Sequence, residues 1–340
     1  MSNIRTFYAC QAVAVCPLLE SSGSYTSGTY NYMHGVQSVG LNSSFDIENL
    51  FELGQLEIYD TVLNVPEIEI TIEKVLDGYK TVYGLLSSAS GNVAQPLSQA
   101  SKNRASVKFA LYPDTENAST SGYVRLVECT GMYLSNVTYT IPVDGNITES
   151  VTLVGNHKQW YTSGSGFTVP VAISNGSGLP DDRPANKIGS EVTASGIFRR
   201  QHVTYNGPGK VKAQNITLTL NLSREDVFEF GRRIPYAKIA TYPIETTVEI
   251  ESLAVSGNYD DISFTEDTSL LPDKDQGIEV IIASTHNSGG TGNFMINTGS
   301  GNFLTSITHT GGDATGGNAT VTRSYTSYNA WNVLDSGVTS

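Results

Sequence analysis

The chain is expected to be all-β with short flanking helices, built as two tandem β-sandwich or half-barrel units, and three observations lead there. Gly, Ser, Thr and Asn are abundant, charged residues make up only 16 % of the 340-residue chain, and helical periodicity is scarce, a composition of many short strands and turns. Residues 67–74 alternate strictly, with Ile68, Ile70 and Ile72 on one face and Glu67, Glu69, Thr71 and Glu73 on the other, as a strand with one buried side requires. The stretch 37–75 is stated again from Gln214, and a repeat of that length implies a repeated structural unit.

Laid side by side without a gap, the two stretches pair Gln37 with Gln214, Leu41 with Leu218, Glu48 with Glu225, Phe51 with Phe228, Gly54 with Gly231, Tyr59 with Tyr236 and Pro66 with Pro243. One extra residue after Pro243 then aligns Ile70, Ile72 and Glu73 with Val248, Ile250 and Glu251. Each copy reads as a short helix followed by a strand. Ser44 or Asp46 caps the first helix, Ile47, Leu50 and Phe51 share a face at helical spacing, and Gly54 ends it on a left-handed residue. Ser223 caps the second, with Asp226 three residues on and Gly231 as the stop. Pro66 and Pro243 open strands whose outer faces are acidic, through Glu67, Glu69 and Glu73 in one copy and Glu245, Glu249 and Glu251 in the other.

The apolar run near the N-terminus imitates a short signal peptide, but Gln11 interrupts it and a strand is expected. A Ser-, Gly- and Tyr-rich loop leads into the first copy, and Asp77-Gly78 after it is a turn. Residues 82–90 and 96–105 hold a helical turn or two, and 106–112 form a strand. Residues 131–160 predict a long hairpin: Val137, Tyr139 and Ile141 alternate with Thr138 and Thr140, Asp144-Gly145-Asn146 is the turn, and Val151 and Leu153 resume the alternation. This hairpin is echoed too. Tyr133, Leu134, Val137, Thr138, Val151 and Thr152 recur as Phe303, Leu304, Ile307, Thr308, Val321 and Thr322, and Trp160 as Trp331 after one insertion, while 106–112 has a weaker partner in 277–283. The whole unit is therefore read as duplicated: 1–165, a Gly-, Ser-, Pro- and Asn-rich connection at 166–195, and 196–340.

The formal net charge of −13 argues against a tightly held nucleic acid, because neutralising phosphates needs clustered Lys and Arg, though not against a conduit that nucleic acid passes without sticking. Cys10, Cys16 and Cys129 are too few for a disulfide framework and lack zinc spacing, so they read as buried thiols. His34, His157, His202, His286 and His309 lie apart, and no nucleophile elbow, H-E-x-x-H helix, EF-hand loop or dinucleotide motif is found. Gly207-Pro208-Gly209-Lys210 runs into Val211 where a phosphate loop needs Ser or Thr, and reads as a turn. The alternating Glu residues suit a solvated face better than an acid–base pair, and their duplication with the strand favours that reading. No catalytic residue, cofactor or metal is assigned, and an enzyme is not expected. No apolar run reaches the roughly 20 residues of a membrane helix. Asn-x-Ser/Thr triplets such as Asn136, Asn146, Asn215 and Asn318 matter only if the chain is secreted.

At the hairpin 131–160 and the strand opened by Pro66, the chain resembles the tail tube proteins of tailed bacteriophages. The resemblance covers about 45–160 and 215–331 and lies in pattern rather than in a short invariant motif. It implies β-sandwich units lending strands to a barrel around a lumen, six units to a ring, and rings stacked into a tube through which genomic DNA passes without specific binding. A virion tail component assembled in the host cytoplasm follows, with the chain itself as main partner and sheath, baseplate and terminator proteins as further ones. One unit commonly suffices in that family, whereas this chain carries two, so a ring needs three chains, or six if one unit is displayed outside. Glu67, Glu69, Glu73, Glu245, Glu249 and Glu251 are then candidate lumen residues, and Gly54, Pro66, Trp160, Gly231, Pro243 and Trp331 the structural residues that define the repeat. Two alternatives share the composition: another virion ring component such as a baseplate tube, connector or decoration protein, and a surface adhesin or S-layer β-sandwich. A glycosidase on a β scaffold would need aromatic residues flanking the carboxylates, which the sequence lacks.

Overall fold

The computed structural model describes residues 11–21, 24–27, 30–33, 35–77, 80–87, 97–112, 123–162, 197–208, 212–254, 277–283, 293–311 and 318–336. Strands dominate, and the all-β expectation with short helices holds. In chain order they are β1 (Gln11–Ser21), β2 (Ser24–Ser27), β3 (Asn31–Tyr32), β4 (Val36–Ser44), β5 (Ile47–Phe51), β6 (Ile58–Leu63) and β7 (Glu67–Val75). Short helices α1 (Val82–Ser87) and α2 (Leu97–Ala100) precede β8 (Arg104–Leu111), β9 (Arg125–Pro142), β10 (Thr148–Gly155) and β11 (His157–Thr162). A 3-10 turn, Arg200–His202, leads into β12 (Val203–Asn206), β13 (Ala213–Asn221), β14 (Arg224–Val227), β15 (Ala237–Ala240) and β16 (Glu245–Leu253). The last strands are β17 (Glu279–Ala283), β18 (Asn293–Asn297), β19 (Phe303–Thr310), β20 (Thr320–Tyr328) and β21 (Asn332–Ser336). The connection at 166–195, the ends of the two units, Gly78, Gly209, Lys210, Cys10, His34 and His286 lie outside the described residues.

The main sheet runs β19-β20-β16-β13-β9-β10-β7-β4, and β9 also carries β8 and β11, with β1 beyond β8. The expected hairpin is β9 with β10, with Val137 opposite Val151. At its start β9 has other partners: residues 125–133 pair with β8 and residues 125–130 with β11, and Gly131 at φ +67° lies where these partners give way to β10. In the second half this long strand is replaced by two, β18 and β19, so β12-β17-β18-β21 forms a separate four-stranded sheet. It packs on the main sheet, Phe294 of β18 against Tyr139 of β9 with ring centroids 5.5 Å apart.

The repeat extends to backbone detail. β4 and β13 have the same length, as do β7 and β16. Both pairs carry their bulge at the aligned glutamine, Gln37 in one and Gln214 in the other. Each glutamine amide donates to the carbonyl two residues back, Gly35 or Lys212, and both of those residues have φ near +60 to +70°. The second hairpins agree likewise: the bulge after Leu134 in β9 recurs after Leu304 in β19.

Two expectations are corrected. The segments after Ser44 and Ser223 are β-hairpins, β5 with β6 and β14 with β15, not helices. Ile47, Leu50 and Phe51 do sit at helical spacing, but five residues offer a helix barely one turn, and the facing segment 58–63 satisfies their backbone groups instead. Gly54 (φ +93°) and Gly231 (φ +83°) take left-handed conformations as expected, between the strands of hairpins rather than at helix ends. Trp160 and Trp331, matched as letters, do not share a role: Trp160 lies on β11 and is 54 % exposed, whereas Trp331 precedes β21 and is 5 % exposed.

The two repeats do not bury separate cores. One cluster holds Ile68, Ile70, Ile72, Val151 and Leu153 of the first together with Leu218, Val248, Ile250, Val280 and Val333 of the second. Phe198, at the start of the second unit, ties in by accepting the Ile147 N–H and donating to the Leu76 carbonyl.

A buried carboxylate anchors α1. Thr81 caps the helix, its hydroxyl accepting the Gly84 N–H at 2.9 Å, while Glu149 accepts the Val82 and Tyr83 N–H groups at 2.8 and 3.1 Å and the Tyr139 hydroxyl at 2.8 Å. Burial pushes the Glu149 pKa up, against the pull of Lys74 and these donors. A carboxyl with its folded pKa raised contributes stability below its unfolded pKa and loses it as pH rises through the folded pKa. Relative to Glu149→Gln, the wild-type chain is therefore expected to be most favoured below the unfolded carboxyl pKa and to lose ground as pH rises above it, as read from urea midpoints of the two proteins over a pH series.

Candidate functional site

The feature that most invites function is the solvent side of the main sheet. Cross-strand partners share a face, so the pairs can be followed from edge to edge. Glu73 lies opposite Ser38 on β4 and Ser150 on β10, Ser150 opposite Thr138 on β9, Thr138 opposite Thr219 on β13, and Thr219 opposite Thr247 on β16. Glu249 lies opposite Thr217 and Ser324, and Glu251 opposite Asn215 and Thr322. Glu67, Glu69, Glu73, Glu245, Glu249 and Glu251 thus fall on a single face of one continuous sheet. All are exposed except Glu251, which is half-buried.

Most of the rest of that face is Ser, Thr and Asn, with Val154 opposite Glu69, Tyr328 opposite Glu245 and Phe303 opposite Thr326 among the exceptions, and in the stretches paired along this path no described Lys or Arg lies on it. The alternation explains it: Lys74 and Arg323 sit at buried-face positions and are buried, and the exposed Arg125 lies at the far start of β9, which pairs with β8 and β11 instead. Lys74 reaches Asp77 at 3.3 Å, and Arg323 donates to Ser252 at 3.0 Å. Ser38 donates to Glu73 at 3.0 Å, and at one end Lys238 of β15 comes within 3.6 Å of Glu67. Such a surface can hold water and repel anions.

The two ends of the sheet are the second feature. Inside the chain β13 is added edge-on to β9, antiparallel, from Asn215 opposite Pro142 to Asn221 opposite Asn136. β13 is the counterpart of β4, and β9 is the counterpart of β19. Those counterparts are the edge strands of the eight-strand path, each with one partner on it among the described strands. Burial differs between the joined strands and the edge strands. Leu222, just past β13, is fully buried and donates its N–H to the Ser135 carbonyl at 2.8 Å, whereas the aligned Phe45, just past β4, is 69 % exposed. Tyr133 is 6 % exposed, and its counterpart Phe303 43 %.

The third feature is the pair of hairpins at one end of the sheet. β5–β6 carries Phe51, Leu53, Leu56 and Tyr59 in the open, and β14–β15 carries Phe228 and Phe230 likewise. Sequence reasoning took both for helices and missed this apolar display. Its signal was there in the density of large apolar residues across 45–63, which fits neither one helical face nor one strand face.

The remaining candidates stay separate. His157 bonds the Thr130 hydroxyl at 2.8 Å, His202 accepts the Arg199 N–H at 3.1 Å, and His309 lies on β19. Among the described residues no cluster of His, Cys, Asp and Glu is placed to hold a metal, and no helix is long and apolar enough to cross a membrane. Cys16 and Cys129 are buried as expected, and burial pushes the Cys129 thiol up to about 11. No protein-family model matches the chain, and no curated protein matches it in sequence.

Proposed function

We propose that this chain is a structural subunit of a hollow tube, the tail tube of a bacteriophage, in which three chains supply six sheet units to each ring and the acidic face lines the lumen. The observation that carries the reading is the internal joint. β13 and β9 already make, within one chain, the union that β4 and β19 are left to make between chains. A joint whose two halves are different surfaces is head-to-tail, and it closes into a ring when its rotation divides the circle. Closure also covers sheet edges that would otherwise invite aggregation.

A lumen made mostly of Ser, Thr, Asn and Glu suits the passage of DNA. A carboxylate and a phosphate 10 Å apart in water repel by about 0.4 kcal/mol, less once salt screens them. Each contact is thus too weak to block passage, while many together keep the duplex from adhering.

Electron microscopy of the purified protein, with mass per ring measured in parallel, tests this. Hollow stacked tubes with three chains per ring are expected. Six chains per ring would keep the tube and send one unit elsewhere, isolated single rings would point to a connector, and a chain that stays monomeric at every concentration would overturn the reading. In assembled particles, replacing Glu69, Glu73, Glu249 and Glu251 with Lys is expected to slow DNA ejection with ring formation intact. Loss of assembly without a stall would place these residues at an interface instead.

A further inference from the structure

Hairpin β14–β15 is seated on the first repeat. Arg224 donates its Nε–H to the Leu134 carbonyl at 2.8 Å and an Nη–H to the Ser101 carbonyl at 2.7 Å, with its guanidinium 5.1 Å from the centre of the Tyr133 ring. Tyr242 approaches Ser101, hydroxyl to hydroxyl, at 3.2 Å, and Tyr236 lines the same cleft. Hairpin β5–β6 repeats this element in the same register: Ile47 lies opposite Leu63 as Arg224 lies opposite Ala240, and Asn49 opposite Thr61 as Asp226 opposite Lys238. Yet Ile47 is 52 % exposed.

The second repeat carries the matching seat. Phe303 and Leu304 stand two and one residues before the Thr305 bulge, as Tyr133 and Leu134 stand before Ser135. We infer that hairpin β5–β6 docks on a second copy of this chain, with Ile47 packing on Phe303 and Leu304 where Arg224 packs on Tyr133 and Leu134 within the chain. The inference rests on the ring reading above and adds a joint outside the strand edges.

The chemistry changes consistently on both sides of the joint. Inside the chain the hairpin is bolted by a guanidinium over a tyrosine and two carbonyls. Between chains both partners are apolar, isoleucine against phenylalanine and leucine. An exposed arginine lacking its seat would be well solvated in the monomer and gain little from docking, whereas exposed isoleucine and phenylalanine gain by leaving water. The apolar version therefore suits a contact made only on assembly, and the polar one a contact made as the chain folds.

The test uses the full-length chain and reads both folding and assembly. Ile47→Asp is expected to leave the monomer's thermal midpoint unchanged, because the side chain is exposed there, and to raise the concentration needed for rings by at least about tenfold, measured by mass photometry. Phe303→Asp should do the same from the other side. As a second measurement, Ile47→Cys combined with Phe303→Cys, in a Cys10→Ser background, is joined by a short bis-maleimide into covalent multimers within rings, and neither single variant is. Rings that form from Ile47→Asp as readily as from wild type, or rings of the double-cysteine chain that yield no cross-link between chains, overturn the seat and leave the tube reading standing. A wild-type chain that never assembles overturns both.

Discussion

Phe45→Lys and Leu222→Lys, the same substitution at aligned positions, are expected to act at different stages. Leu222 is fully buried beside Ser135, at the joint between the repeats. A lysine there loses the transfer energy of the leucine and must bring an amine to water or bury it uncompensated, a cost of several kcal/mol that removes much of a domain's stability. Leu222→Lys should accordingly be recovered largely unfolded or insoluble. Phe45 is exposed in the single chain, so Phe45→Lys should fold with wild-type circular dichroism and an unshifted thermal midpoint. At a joint between copies it meets the environment Leu222 has within one. Losing a buried aromatic weakens each joint by about 2–3 kcal/mol, a factor of roughly 30 to 150, and a ring contains several joints. Phe45→Lys should remain monomeric at concentrations where the wild type forms rings. Rings of ordinary stability from Phe45→Lys would mean that β4 does not meet a neighbour as β13 does.

Trp331→Ala is expected to lower the stability of the whole chain by about 3–5 kcal/mol, the usual cost of deleting a buried large aromatic. Trp331 comes from the end of the second repeat, but its ring stacks on Tyr139 of β9, centroids 6.1 Å apart at 21°, and meets Tyr83 of α1 edge-on at 6.2 Å and 85°. It thus packs at the point where the shared core joins the two repeats, next to the Tyr139–Glu149 hydrogen bond. A shared core predicts one cooperative transition moved to lower denaturant, with α1 and β20 losing hydrogen-exchange protection together. Trp331→Phe should cost clearly less, because it keeps a ring against Tyr139. Two separated transitions, with the first repeat unshifted, would show that the repeats unfold independently.

The strands and their faces were legible because alternation is a local property. Ile68, Ile70 and Ile72 could only be buried together, and Glu67, Glu69 and Glu73 only exposed together, wherever the strand lay. The repeat was legible for a related reason: a bulge at Gln37 or Gln214 and a left-handed glycine at Gly54 or Gly231 each impose a residue type on one position, and two copies double the record. The hairpins were misread because their large apolar residues are exposed and Ala240 alone of their strand residues joins the core among the described residues. Ile47, Leu50 and Phe51 show helical spacing by composition alone, and neither a buried face nor a cap bond is present to enforce a helix. Trp160 and Trp331 misled in the opposite way, since a shared letter next to an insertion does not guarantee a shared strand face.

By itself the sequence determined the fold class, the order of the duplicated strands and the acidic character of one sheet face, because each depends on spacings of a few residues along the chain. Only the tertiary structure decided that the repeats share one core, that β13 joins β9 edge to edge, and that β4 and β19 stand at the two edges of the eight-strand path. Those depend on which distant backbone groups find each other. Every strand carries N–H and C=O groups along both its edges, so its own residues do not say which neighbour will satisfy them.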